Sequence, residues 1–437
     1  MFRVIAALLC AWLPGTPFAG QQPILLQEKL FTGQVFQISS RSDLQGQIRI
    51  AKDGREQQLR LEGASSLEYH ERILQVSQTG GVDRVLRYYR QLDYRRQIGD
   101  QPQQSTLRPA ARRRVVWRTP QGSLDCFSPD GPLLWSELDQ VRWELFTPLL
   151  GGLLPTAPVK VGDSWKASTP ILLALTDLEA LDRGEVTCTW REQTTAEGRR
   201  AAVIAFSGTV AGVNADGSNR QRLDGVAHFD LDDAYIFYLS LTATSWMLDG
   251  KQKEVGTIEG RFTLTRRRSS APELADGAFR ASDCEPTAAN TWILFQDPGV
   301  GAEFQYPRSW TLRKADARQI ILDAADGSGM LITLEPLAQV PTAVQFQQEA
   351  ATSLGRQSFK ISRSHPPRRL APEPRPLDQF SFEVEATNRS TWVFDYYVTR
   401  QAAGGATVAA RYPAAQAASQ QRYTEQIMRS LQLTGKK

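Results

Sequence analysis

The chain has 437 residues, of which 41% are hydrophobic and 22% charged, a balance that excludes intrinsic disorder and predicts two or three folded domains. The formal net charge is only +4, from 51 basic and 47 acidic side chains. So small an excess does not indicate nucleic-acid binding, and we expect no nucleic acid among the partners.

The first 19 residues have the pattern of a signal peptide. Arg3 precedes an apolar run, residues 4–13, that is too short to span a bilayer, and small residues follow. We expect cleavage after Ala19, export to the periplasm or the medium, and a soluble mature protein without an integral membrane span. Acylation of Cys10 is the less favoured alternative, because Leu9 precedes it where a small residue is needed.

The next 130 residues predict strands followed by two helices. Residues 30–80 alternate apolar and polar side chains, which is typical of a half-buried antiparallel sheet, and Asp53-Gly54 is a hairpin turn signal. In residues 82–97 the apolar side chains recur near helical spacing, which predicts a helix. A second helix is predicted over 136–150, with a capping box at its start and Gly151-Gly152 at its end.

From 185 to 266 the hydrophobic period becomes two. Strands are predicted at 185–192, 201–212, 220–231, 235–246 and 255–265, separated by short turn sequences, and together they form an antiparallel meander. Residues 267–290 lose this periodicity and are rich in Ser, Ala and Pro. We therefore predict a β-rich N-terminal domain over 20–266, a linker over 267–290 and a second domain over 291–437.

The second domain opens with "GAEFQYPRSWTLR", residues 301–313. Phe304 and Tyr306 share one side of a strand, Pro307 prevents the next ladder hydrogen bond, and Trp310 begins a return strand. Six strands and two helices follow, with the first helix at 341–356 and the last at the C-terminus. The favoured interpretation of "FQYPRSW" is a strand, a proline corner and an aromatic plug of the core.

This order of elements resembles the PsbP/DcrB/Mog1-like family. The likeness rests on "FQYPRSW", on the helix between the two halves of the sheet, and on the terminal "YTEQIMRSLQL". The resemblance implies an α/β/α sandwich with an antiparallel sheet and a partner-binding role without catalysis, and it transfers no functional residue. The N-terminal domain is similar to exported bacterial proteins of unknown function that share "LLP…VKVGDSW". The predicted fold class is therefore α+β.

The residues that could carry chemistry are dispersed along the sequence. His70, His228 and His365 lie in three separate segments without metal-ligand spacing, and no nucleophile elbow or phosphate-binding loop is present. Glu68 and His70 share one face of a predicted strand, with Glu71 beside them, which is the strongest of the weak acid–base candidates. The acidic turn "FDLDDA" lacks the glycine of a calcium loop. We therefore predict a protein that is not an enzyme and binds no metal or cofactor.

Two groups of residues are assigned to ligand or partner binding. The first is a basic run with an aromatic residue, and it comprises Arg112, Arg113, Arg114 and Trp117. The second is the aromatic pair Tyr306 and Trp310. The partner expected for the basic run is a protein or an anionic envelope component. A solvated loop is the simpler interpretation of the run. After signal cleavage three cysteines remain, and Cys126 with Cys188 is the candidate disulfide, against three separate buried thiols.

Three hypotheses of function follow. The preferred one is a non-catalytic exported protein that binds a partner or an envelope component. The second is a carrier in which the curved meander holds an apolar ligand or lipid against the helices predicted at 82–97 and 136–150. The third is a hydrolase with a dispersed acid–base site around His70.

Overall fold

The computed structural model describes residues 22–52, 55–78, 80–119, 123–142, 144–287 and 290–435. The predicted signal peptide and the Asp53-Gly54 turn lie outside these ranges. Within them the chain is mostly antiparallel β-sheet with few helices, which confirms a β-rich α+β fold.

The secondary structure comprises 23 strands and four α-helices in the described residues. In chain order the strands are β1 Val35–Lys52, β2 Arg55–Val76, β3 Val82–Ile98, β4 Gln101–Ser105, β5 Arg113–Arg118, β6 Leu124–Phe127, β7 Leu133–Leu134, β8 Ser164–Lys166, β9 Ala180–Ala196, β10 Arg199–Asn214, β11 Gly217–Asp230, β12 Tyr235–Leu248, β13 Glu254–Arg268, β14 Ile293–Asp297, β15 Ala302–Tyr306, β16 Trp310–Ala315, β17 Gln319–Ala324, β18 Gly329–Glu335, β19 Lys360–Ala371, β20 Leu377–Glu385, β21 Thr391–Gln401, β22 Gly404–Pro413 and β23 Gln432–Leu433. The helices are α1 Trp135–Arg142, α2 Thr169–Thr176, α3 Ala343–Arg356 and α4 Ala417–Ser430.

One large sheet of twelve strands dominates the N-terminal part. Its order is β6-β5-β3-β2-β1-β13-β12-β11-β10-β9-β8, and β4 pairs with β3 outside this path. The five predicted strands of the meander are confirmed as β9 to β13. The pairing of β1 with β13 joins the early strands to the meander, so both belong to one continuous antiparallel sheet.

The helix predicted over 82–97 is wrong, because these residues form strand β3. The misleading spacing comes from a β-bulge. Tyr89 pairs with Tyr69 and Gln91 pairs with Glu68, which leaves Arg90 without an opposed residue on β2. Before the bulge the odd-numbered residues of β3 face the core, and after it the even-numbered residues do. Tyr89 and Leu92 therefore lie on the same face. Apolar positions three residues apart then imitate a helical stripe.

The second predicted helix is shorter than expected. Helix α1 ends at Arg142, and the chain continues into a 3-10 helix, Thr147–Leu153, that contains the two glycines expected to stop the helix. The capping group also differs from the prediction. The carboxylate of Glu137 accepts a hydrogen bond from the Leu134 backbone N–H at 2.8 Å, in the role that the sequence pattern gave to Asp139.

We call the side of Phe36 and Ile38 the inner face of the large sheet. A Cβ on Gly46 of β1 would lie 2.4 Å from the carbonyl oxygen of Thr257 on β13, so the neighbouring backbone bends over the inner face there. A Cβ on Gly208 of β10 would lie 2.1 Å from the carbonyl oxygen of Glu185. Glycine at these positions allows the neighbouring strand to approach this closely.

The inner face divides into two halves along the strands. The proximal half, which contains Phe36, belongs to the main core together with Leu26 of the N-terminal extension (residues 22–34), Phe146 and Leu150 at the 3-10 helix, and Ile171 of α2. The distal half comprises residues 42–48 of β1, 59–67 of β2, 92–98 of β3, 243–247 of β12 and 256–262 of β13. No helix of the described chain belongs to this half.

The segment predicted as a linker packs against the outer face of the same sheet. Ala271, Leu274 and Cys284 are buried in one cluster with Leu86 of β3 and Phe127 of β6. The segment is therefore attached to the N-terminal part along its length. The domain boundaries themselves stay a prediction.

The C-terminal part contains two smaller sheets. One has the order β16-β17-β18-β22-β21-β20-β19, and the other has the order β23-β15-β14-β7. The predicted strands and both predicted helices are confirmed here. Helix α3 packs in a cluster with Phe380 and Tyr396, whereas Ile427 of α4 packs with Tyr397 and Tyr412 in the main core. Strand β7 pairs parallel with β14 and so links this part to the N-terminal part.

Candidate ligand-binding face

The predicted basic run does not form one charged surface. Arg112 is exposed, but the Arg113 guanidinium donates to both carboxylate oxygens of Asp130, at 3.1 and 2.9 Å. Arg114 is completely buried and donates to the carbonyl oxygens of Ala111 and Glu137. The binding role predicted for Arg114 is therefore wrong, because residue 114 alternates to the inner face of β5 and holds structure there.

The three predicted binding aromatics belong to packed clusters. Tyr306 and Trp310 are buried in the main core, which contradicts their assignment to a binding surface and confirms the aromatic plug. Phe304 contacts Tyr306 with ring centroids 5.9 Å apart. Trp117 is half-buried and packs on Phe127 with ring centroids 5.6 Å apart. Burial raises the pKa of Tyr306.

The candidate disulfide between Cys126 and Cys188 is also wrong. Both side chains are free buried thiols, on strands β6 and β9, and Cys284 is a third buried thiol. Burial raises the pKa of Cys126 and of Cys188 to about 12. Such thiols behave as small hydrophobic residues and are poor nucleophiles.

The acid–base candidates are separated by the sheet. Glu68 and His70 do share the outer face of β2, as the alternation predicts, but Glu71 points to the inner face, where it pairs with Arg87. His70 is buried beneath the predicted linker, with its Nδ1 3.9 Å from Glu273 Oε2. Burial lowers the pKa of His70, and Arg90 adds to the effect. Among the described residues, no group of three or more His, Cys, Asp or Glu side chains is arranged to hold a metal ion.

The acidic turn at 229–234 joins β11 to β12. Asp230 Oδ1 accepts hydrogen bonds from the backbone N–H groups of Asp232 and Asp233, at 2.9 and 2.8 Å. The three carboxylates pair with Arg199, Arg200 and Arg268 in turn. The turn is thus closed by its own hydrogen bonds and ion pairs, as a solvated hairpin would be.

Sequence reasoning missed a network of buried charges on the proximal inner face. Arg87 donates from Nε to Glu71 at 2.9 Å and from an Nη atom to Glu144 at 2.8 Å. Tyr89 donates to Glu144 at 2.6 Å, and Thr147 donates to Glu71 at 2.5 Å. Burial of Arg87 alone would lower its pKa, but Tyr69, Tyr89 and the two glutamates hold that pKa well above its usual range. The guanidinium is thereby kept charged and fully bonded.

A second buried arginine extends this network. Arg266 of β13 pairs with Glu28 and donates to the carbonyl oxygens of Ile236 and Thr147, at 3.0 and 3.3 Å. Burial raises the pKa of Glu28, although the Arg266 charge acts in the opposite direction. These contacts join the N-terminal extension and the 3-10 helix to the sheet. Arg87, Arg114 and Arg266 therefore have structural functions.

The inner face of the distal half is apolar, with Leu61 and Leu92 buried and the side chains around them half-buried. The opposed inner-facing residues include Leu44, Ile48, Leu59, Ile98, Met247 and Ile258. These six side chains are half-buried, and none belongs to a packed core cluster. Gly46, Gly63 and Gly260 lie between them and add no side chain to this face. The distal half therefore presents partly exposed apolar side chains on its inner face.

One charged side chain stands on this apolar face. The inner-facing residues of β3 in the distal half are Leu92, Tyr94, Arg96 and Ile98, because Leu67 and Gly63 of β2 oppose Leu92 and Arg96. Arg96 is half-buried, and its buried Nε has no hydrogen-bond partner in the described part of the chain. All other inner-facing residues in the five ranges of the distal half are uncharged.

A separate groove of 860 Å³ lies in the C-terminal part, beside α3 and strands β19 to β21. Leu337 and Val344 expose about half of their surface at its edge. Its cations are already bonded within the protein: Arg368 donates to Gln379 at 2.7 Å, and Arg400 donates to the Val340 carbonyl oxygen at 2.7 Å. The groove therefore offers less unbonded charge to a ligand than the distal face does.

Comparisons with known proteins assign no family. No family model and no curated protein matches the chain. The structure is similar, with a TM-score of 0.34 and 10% identity, to lipovitellin in a study of its lipid–protein interactions; the match covers 56% of this chain and 26% of that one. DynF of the dynemicin pathway of Micromonospora chersina matches with a TM-score of 0.15 and 9% identity, over 62% and 95% of the two chains. The translocator domain of NalP from Neisseria meningitidis gives 0.12 and 8%, over 87% of each.

These similarities are too low to carry an argument about fold or function. Among the described residues, no helix is both long and apolar enough to cross a lipid bilayer. The case for function therefore depends on the geometry of the chain itself.

Proposed function

We propose that this protein is an exported, non-catalytic carrier that binds an apolar ligand on the distal inner face of its large sheet. The observation that carries the proposal is the apolar surface around Leu44 and Ile258, whose side chains are half-buried and belong to no core cluster of the described residues. Contiguous apolar surface of this kind is costly to expose and usually marks a binding site.

The proposed site differs from the carrier site that the sequence suggested. The sequence-based hypothesis placed the ligand between the meander and two predicted helices, but the first of these segments is strand β3. The surface next to the other is filled by the buried side chains of Phe36, Phe146 and Tyr235. The ligand surface that remains lies at the opposite end of the same strands. The C-terminal part, proposed to be an α/β/α sandwich of the PsbP/DcrB/Mog1 type, would serve as the partner-binding part.

The proposal is tested with an uncharged fluorescent probe, N-phenyl-1-naphthylamine, added to the protein that lacks residues 1–19. We expect saturable binding to the unmodified protein. Leu44→Arg places a charge on the inner face, and Gln45→Arg places the same charge on the adjacent outer position. The first substitution is expected to weaken probe binding at least tenfold, and the second to leave it unchanged, because only the first faces the ligand.

Equal binding by both variants, or no probe binding at all, would refute the carrier. Light scattering during size-exclusion chromatography identifies the competing occupant, a second copy of the chain. A dimer that Leu44→Arg dissociates, together with no probe binding, would show that the face is a subunit interface.

A further inference from the structure

Arg96 provides information about the ligand that the apolar surface alone does not. The residue projects from β3 onto the inner face between Tyr94 and Ile98, opposite Gly63. Gly63 has no side chain, so the nearest apolar group in the same row is Leu44 of β1. The guanidinium is therefore placed at one side of an apolar surface that continues across β2, β1, β13 and β12.

The surroundings of Arg96 contrast with those of three completely buried arginines on the same face. Arg87, Arg114 and Arg266 are completely buried, and each donates to two or more oxygens of the protein. Arg96 has no ion pair and no hydrogen bond within the described residues, and its Nε is buried. Desolvating an unpaired cation is unfavourable, and an anion in contact with it would offset that cost.

We infer that the carried ligand is a single-chain anionic amphiphile of the fatty-acid class, with its carboxylate bound to Arg96 and its acyl chain on the distal inner face. The inference rests on the proposed carrier function and specifies its ligand. One arginine provides one charge, and the planar guanidinium matches the two oxygens of a carboxylate. Five strands spaced about 4.8 Å apart give a width of about 19 Å, which accommodates a straight acyl chain.

The test compares two ligands with the same tail, dodecanoate and dodecanol, by their displacement of N-phenyl-1-naphthylamine. In the unmodified protein we expect dodecanoate to bind at least tenfold more tightly than dodecanol, because a hydrogen bond to a charged group contributes an effect of that size. Arg96→Gln should reduce this ratio to about one while leaving the dodecanol affinity unchanged.

Arg95→Gln is the matched control, because Arg95 is the adjacent residue of β3 and lies on the outer, exposed face. It should keep the full preference for dodecanoate. A purely structural role of Arg96 would instead lower the affinity for both ligands and the denaturant midpoint together.

The outcomes distinguish this inference from the function on which it rests. If the probe binds but dodecanoate and dodecanol displace it equally, or if Arg96→Gln keeps the ratio, the anionic headgroup is refuted and the apolar carrier stands. If the probe does not bind at all, the carrier itself fails and the inference fails with it. Displacement only by a two-chain phospholipid would refute the fatty-acid class.

Discussion

Arg87 and Arg96 lie on the same strand, on the same face and nine residues apart, yet their environments are opposite. Arg87 is completely buried in the proximal half and bonded to Glu71 and Glu144. Arg96 is half-buried in the distal half and bonded to no described residue. The core of the proximal half supplies partners for Arg87, Arg114 and Arg266, whereas the distal half has half-buried apolar side chains and an unbonded cation, which we propose bind a ligand.

The largest expected effect comes from substituting the two arginines in turn. Arg87→Ala leaves two buried carboxylates without their cation, so we expect it to lower the free energy of unfolding by about 3–5 kcal/mol. Arg96→Ala should change it by less than about 1 kcal/mol, because no protein partner is lost. Urea denaturation followed by circular dichroism measures both. Equal losses would mean that Arg96 has a structural partner and would remove the contrast.

A matched pair of isoleucines tests the apolar side of the same contrast. Ile204 of β10 is completely buried in the main core, and Ile258 of β13 is half-buried outside it. We expect Ile204→Ala to destabilise the protein by about 2–5 kcal/mol through lost burial and a residual cavity. Ile258→Ala should cost about 1 kcal/mol or less in the free protein. A similar cost at both positions would show that the distal face is packed as tightly as the core.

The reactivity of the cysteine thiols tests how well the packed core excludes solvent. In the protein without residues 1–19, Cys126 and Cys188 are buried thiols with pKa values raised to about 12. At pH 8 a thiol with that pKa is ionised to roughly 1 part in 10⁴, so we expect almost no reaction with Ellman's reagent in the native state. Denaturant should release three reactive thiols. A single reactive thiol would instead support the disulfide that the structure does not contain.

The smallest effect is expected within the basic run. Arg112→Glu changes an exposed side chain and should alter the free energy of unfolding by about 0.5 kcal/mol or less. Arg114→Gln removes a buried donor to Ala111 and Glu137 and should cost about 1–3 kcal/mol. Thermal denaturation of the two variants measures this difference. A larger cost at Arg112 would mean that the run acts as one structural unit.

Much of the fold follows from local patterns in the sequence. The meander was predictable because each strand of β9 to β13 alternates regularly and ends at a turn sequence. Strand β3 was not, because one bulge at Arg90 gave its apolar residues a helical spacing. The aromatic plug formed by Tyr306 and Trp310 was predictable from the proline corner at Pro307 between them.

The candidate site was harder to predict, for physical reasons. Arg266 and its partner Glu28 are 238 residues apart, and nothing local distinguishes a buried arginine from a solvated one. The distal face did leave a signal. Strand β1 continues to Lys52 over 18 residues, far beyond the five or six of an average strand. Only the register of the sheet places Arg96 on that surface.

The central claim is that the distal inner face is uncovered in the free protein and receives the ligand. A nitroxide label at Ser245→Cys on the inner face, compared with one at Thr244→Cys on the outer face, tests this directly, since the native thiols are buried. We predict that dodecanoate immobilises the label at 245 and leaves the label at 244 unchanged in its electron paramagnetic resonance spectrum. A label at 245 that is already immobile without ligand, or that dodecanoate does not affect, would contradict the account.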